Sequence, residues 1–156
     1  MRTLLLSLLL CAMPLAAQEL PSAARELLRL HGELLEAHLT GDVDRWMAIE
    51  SEHYVSANGG RVTFPGLAVR RSGRADYLEG AEFEVYRDVR EPIVRVSEDG
   101  SLGWLIAEVE IRGTSSGPEQ EPESFHDIWA WVELYEHTAA GWRLVGNVSN
   151  RRPGGA

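Results

Sequence analysis

Between Pro21 and Thr40, apolar residues fall at Leu27, Leu28, Leu30, Leu34, Leu35 and Leu39, a spacing that predicts an amphipathic helix. Gly41-Asp42 closes it, and Asp44 is a suitable N-cap for a second helix through Trp46, Met47 and Ile49. Tyr54 and Val55 predict a short strand that turns at Asn58-Gly59-Gly60 and returns through Val62 to Phe64. After Pro65-Gly66 the sequence predicts an arginine-rich loop, then a short helix capped by Ser72 and containing Tyr77 and Leu78. Downstream the period changes from that of a helix to two. Strands are expected over Glu91 to Ser97, Leu102 to Arg112, Phe125 to Tyr135 and Trp142 to Val148, joined by turns at Asp99-Gly100 and Ala139-Ala140-Gly141. Gly113 to Ser124 is polar and reads as a mobile hairpin loop, and the tail from Asn150 as frayed.

Helices first and consecutive antiparallel strands afterwards imply an α+β layer with helices on one face of a sheet. One face of the Phe125–Tyr135 strand carries Phe125, Asp127, Trp129, Trp131, Glu133 and Tyr135; the other carries His126, Ile128, Ala130, Val132 and Leu134. Both faces are largely apolar, whereas a sheet with one wet side alternates cleanly. One side is therefore expected to meet the helices and the other a second subunit.

The first residues bear on where the chain works. Arg2, the leucine-rich stretch to Met13, and Pro14-Leu15-Ala16-Ala17 have the layout of a signal peptide over 1–17, cut before Gln18. The remainder, 18–156, has the size of a single domain, secreted or periplasmic, with no membrane span once the signal is removed. Cys11, the one cysteine, falls within the signal, so disulfides, thiol nucleophiles and cysteine-bound metals are not expected. Every basic residue is arginine, which excludes lysine Schiff-base chemistry. A net charge of −9 without a basic stripe argues against nucleic acid as a partner.

Three features in order then carry a resemblance: Gly41-Asp42-Val43-Asp44 between two helices, Gly73-Arg74 at the opening of the third, and a long hairpin ending in Gly141-Trp142-Arg143-Leu144-Val145. From about Ala24 to Asn150 the chain resembles the nuclear transport factor 2-like superfamily, in its SnoaL-like, ketosteroid-isomerase-like branch. The resemblance implies a cone-shaped curved antiparallel sheet wrapped around three N-terminal helices and enclosing an apolar pocket, with homodimers formed through the outer sheet face. It also implies positions for an isomerase tyrosine, base and strand acid. Here those positions hold Leu34, Asn58 and Trp131, so steroid isomerisation by that route is not expected. The pocket-facing set it implies is Leu34, His38, Tyr54, Asn58, Leu105, Ala107, Val109, Trp129, Trp131, Val145 and Asn147, joined by Ser149.

Several polar residues can be read in two ways. His31 and His38, seven apart on one helix face, lack the spacing of a helical metal pair and read as core or cavity-rim histidines, with His38 as a candidate acid or base. Asp127 and Glu133 are either a catalytic pair or charges at the wet ends of their strand, held by arginines. Arg70, Arg71 and Arg74 either grip an anionic ligand group at the pocket mouth or form a solvated loop. Asn147 either bonds a ligand or satisfies backbone, and Trp46, Trp104 and Trp142 read as core or interface. The function expected is binding of a small apolar or amphipathic molecule without cofactor or metal. Two alternatives stand beside it: an acid–base isomerase, dehydratase or hydrolase using Asp127, His38 or Tyr54, and a protein–protein or dimerisation module.

Overall fold

The computed structural model of the chain describes residues 21–115 and 121–154. The expected signal peptide lies outside them, as does the middle of the expected hairpin loop. The elements run α1 (Ser22–Thr40), α2 (Val43–Ile49), β1 (Glu50–Asn58), β2 (Arg61–Thr63), α3 (Leu67–Glu79), β3 (Ala81–Asp88), β4 (Ile93–Val96), β5 (Leu102–Ser115), β6 (Glu123–Thr138) and β7 (Gly141–Pro153).

Helix α1 buries Ala24, Leu27, His31, Leu34 and His38, one residue per turn along a single stripe. It stops where Gly41 takes a left-handed conformation (φ 69°) and the Asp42 N–H returns to the Ala37 carbonyl at 2.9 Å. The Asp42 carboxylate then accepts from the Arg45 N–H, so the cap of α2 is Asp42 and not Asp44.

Seven strands form one curved sheet in the order β2-β1-β7-β6-β5-β3, with β4 also on β5. The sheet is mixed: β1 lies parallel to β7, joining the first strand of the chain to the last. No local periodicity could announce that pairing. The helices cover the concave face, and the core they share with it includes Leu27, Leu34, Leu105, Val109, Tyr135 and Leu144.

Four expectations are corrected. Strand β3 is additional to those expected, although Ala81-Glu82-Phe83-Glu84-Val85 alternates; a bulge between Phe83 and Val85 breaks the period before Tyr86. The β5–β6 hairpin is longer than expected, with pairing out to Ser115 and Glu123. A side chain at Gly113 would collide with the Glu82 carbonyl, so glycine lets β3 and β5 close there. The tail does not fray at Asn150, because Asn150 to Pro153 pair with Ala130 to Asp127. Helix α3 begins at Leu67, so Arg70, Arg71 and Arg74 lie on a helix and not in a loop. Arg70, Arg74 and Leu78 recur at a four-residue interval, which turns all three toward the interior.

Candidate functional site

Between α1, α3 and the concave sheet face lies a cavity of about 300 Å³. Leu34 and His38 from α1, Trp46 from α2, and Arg74 and Tyr77 from α3 line one side. The sheet contributes Tyr54, Ser56, Asn58, Tyr86, Ile111, Trp129, Trp131, Leu144, Asn147 and Ser149. A broader depression around Asp42, Asp44 and Arg71 is an open surface groove.

The wall is aromatic and its titratable members other than Arg74 are neutral. His38 lies 3.8 Å, centroid to centroid, from Trp46 and 4.3 Å from Tyr86. Burial lowers its pKa to about 3, outweighing a 2.7 Å bond between Nδ1 and the Leu34 carbonyl. A neutral imidazole that donates from Nδ1 keeps Nε2 as a bare acceptor. Burial likewise pushes the Tyr54 phenol up to about 12 and raises those of Tyr77 and Tyr86. All three stay protonated and able to donate.

Among the described residues, Arg74 is the one arginine on the lining, and no carboxylate joins it there. Its guanidinium lies 4.3 Å from the Trp46 ring and 5.6 Å from the Tyr54 ring. Nη2 donates to Glu50 Oε1 at 2.9 Å, while Nε is buried without a hydrogen-bond partner. Glu50, whose side chain is fully buried, receives Arg70 Nε on its other oxygen at 2.9 Å. With bonds to the carbonyls of Ser51, Glu52 and Pro65 as well, Arg70 spends four of its five N–H donors, and its side chain is buried off the cavity lining. Arg71 is exposed and pairs with Asp44.

Behind the wall, Glu133 is wholly buried. Oε1 accepts from Trp131 Nε1 at 2.8 Å and meets His31 Nδ1 at 2.8 Å; Oε2 accepts from the Tyr135 hydroxyl at 2.7 Å. His31 Nε2 reaches Asp88 at 3.0 Å. Burial alone would lower the His31 pKa, but its bonds to Asp88 and Glu133 outweigh that and raise it to about 9.

No family model and no curated protein sequence matches the chain. Solved structures do. A ketosteroid isomerase-like protein from Erwinia carotovora atroseptica superposes with a TM-score of 0.68 at 13% identity, covering 85% of this chain and 98% of that one. A nuclear transport factor 2-like protein of unknown function in nutrient uptake from Rhodospirillum rubrum gives 0.63 at 15%, covering 80% and 96%. A nuclear transport factor 2-like protein from Cytophaga hutchinsonii gives 0.65 at 11%, covering 82% and 97%. The fold is nuclear transport factor 2-like.

Within this nuclear transport factor 2-like cone, the expected pocket residues divide into two groups. Leu34, His38, Tyr54, Asn58, Trp129, Trp131, Asn147 and Ser149 come together around the cavity. Leu105, Ala107 and Val109 also face inward, but they are buried in the core shared with α1 and do not line it. Val145 is replaced by Leu144: a shift in the β6–β7 register between Leu134 and Tyr135 moves the inward position back by one.

Of the candidate acids and bases, His38 and Tyr54 line the cavity, whereas Asp127 is off the lining and accepts from Arg151 at 2.9 Å. Glu133 does not sit at a wet strand end, and His31 is its core partner. Trp46, expected in the core or an interface, lines the cavity. Tyr77 and Tyr86 are lining residues that the sequence does not single out. For Tyr86 the only signal is the alternating run before it, which the bulge obscures.

Proposed function

We propose that this domain holds a small apolar or amphipathic molecule in its cavity and does not turn it over. The observation that carries this reading is the lining itself: aromatic, with a neutral imidazole, neutral phenols and, among the described residues, no carboxylate to act as a base. The likeness to binding and isomerase-like members of the same fold is compatible with it and does not choose between them. The test is native mass spectrometry of the protein purified from its own host, with denaturing extraction of anything retained. A discrete added mass of a few hundred daltons is expected. Repeated recovery of an empty protein that also refuses a broad panel of apolar ligands would remove the reading.

The acid–base alternative rests on His38 and Tyr54 sharing the cavity, since Asp127 is tied to Arg151. It requires a bell-shaped pH–rate profile on some substrate, abolished in His38→Phe or Tyr54→Phe and surviving in Asp127→Asn.

The convex sheet face supports a second part of the proposal, pairing with another copy of this chain. Ile93, Leu102, Trp104, Ile106, Leu134 and Val148 are exposed there, next to one another across β4–β5–β6–β7. A flat apolar patch that meets its own twofold image is the simplest way to cover such a face. Light scattering should report a dimer that Trp104→Arg converts to monomer; a monomeric wild type with the same patch would refute it and favour a different protein partner. Export by the segment 1–17 belongs to the same proposal, and the mass of the protein recovered outside the cytoplasm should begin at or near Gln18.

A further inference from the structure

We propose that the ligand is a monocarboxylic acid with a flat apolar body, its carboxylate held by Arg74. This rests on the binding reading above and names its ligand class.

Unmatched charge and unmatched donors point to it. Glu50 divides its two oxygens between Arg70 and Arg74, so the three side chains together carry one net positive charge. Arg70 spends four of its five donors on Glu50 and backbone carbonyls and is buried off the cavity lining. The surplus therefore resides on Arg74, whose side chain is about one quarter exposed and whose Nε has no acceptor. A buried guanidinium N–H without a partner is costly and rare in folded proteins. The Arg74 side chain lines the cavity, and a small shift of it lets a ligand carboxylate supply the missing acceptor and match the plane of the guanidinium.

The rest of the lining narrows the class. Among the described residues, no lining side chain carries a negative charge. Arg74 is the single cation among them, so the wall balances a monoanion and falls short of a phosphate dianion. His38 adds an acceptor and no charge. Trp46, Trp129 and Trp131 supply flat apolar surface for the ligand's body, in a space of about 300 Å³.

The experiment compares 1-naphthaleneacetate with 2-(1-naphthyl)ethanol, of similar shape but without the carboxylate, by titration calorimetry on the protein beginning at Gln18. The acid is expected to bind at least about tenfold more tightly, the return on one charge-assisted hydrogen-bonded pair. In Arg74→Met the preference should vanish while the alcohol still binds, and the alcohol's binding certifies the fold. Should Arg74→Met fail to fold, Arg74→Lys keeps the charge but not the Nε donor, and should retain only part of the preference. Equal binding of acid and alcohol to the wild type would overturn the carboxylate assignment and leave the cavity reading standing. Tighter binding of 1-naphthyl phosphate than of the acid would overturn the monoanion assignment. Binding of neither, to folded protein, would overturn both readings together.

Discussion

His31 and His38 sit on the same stripe of the same helix, and the fold makes opposite things of them. His31 enters a closed set of charges. Asp88 and Glu133 take both its nitrogens, Trp131 and Tyr135 take the rest of Glu133, and the ring is held as an imidazolium with a pKa of about 9. His38, two turns on, is stacked against Trp46 and Tyr86, is neutral to about pH 3, and borders open space. The Glu50 cluster makes the same point from the other side: Arg70 is buried and spends four of its five donors on Glu50 and backbone, while Arg74 lines the cavity and keeps an unused donor at Nε. Where every polar atom has a partner, the group supports the fold. Where one is left over at a cavity, it is available to a ligand.

The comparison can be broken most forcefully at its closed end. His31→Ala strands a buried Glu133 carboxylate and should cost about 3–5 kcal/mol in urea unfolding, whereas His38→Phe, an aromatic swap of similar size, should cost under about 1.5 kcal/mol. Similar losses for the two would show that the clusters do not differ in the way described.

Next in size is the alkaline flank. Because the folded pKa of His31 is raised from about 6.5 to about 9, its contribution is complete below pH 6.5 and fades as pH rises through 9. Stability should fall across that window by an amount on the order of 3 kcal/mol. His31→Gln should flatten the fall, and an unchanged slope in that variant would assign it to other groups.

On the acid flank His38 acts with the opposite sign. Its folded pKa is depressed, so the unfolded chain takes up the proton first and stability declines as pH drops from about 6.5 toward 3. The wild type minus His38→Phe difference should grow over that range while ordinary carboxylate titration cancels. A constant difference would mean that His38 is free to protonate in the fold.

The smallest effect is expected at Arg71. Its pair with Asp44 is exposed on both sides, so Arg71→Ala should change stability by no more than about 0.5 kcal/mol, against several for Arg70→Met one residue away.

Much of this is legible from spacing. The stripe on α1, the Gly41-Asp42 stop and the alternation along β5 each report a local period, and a period survives whatever packs against it. The tryptophans of β6 fall on the cavity face for the same reason: in a strand the side of residue 129 is also the side of residue 131. The misses share a cause as well. Bulges in β3 and β7 reset the alternation within a strand, which hides Tyr86 and exchanges Val145 for Leu144. A helix begun without a side-chain cap at Gly66 looks like a loop in the bare sequence.

Local spacing was enough for most of the elements and for the faces of the long strands, because these depend on neighbours a few residues away; β3 and the first turn of α3 escaped it. Only the tertiary structure decided which charges are solvated. Glu133 reads as a surface acid until His31, 102 positions earlier, is brought beside it. Arg70, Arg71 and Arg74 read alike until Glu50 and the carbonyls of β1 bury the first and hold the third by one bond. A charge is buried only where distant partners replace its water, and the local pattern of a chain does not contain those partners.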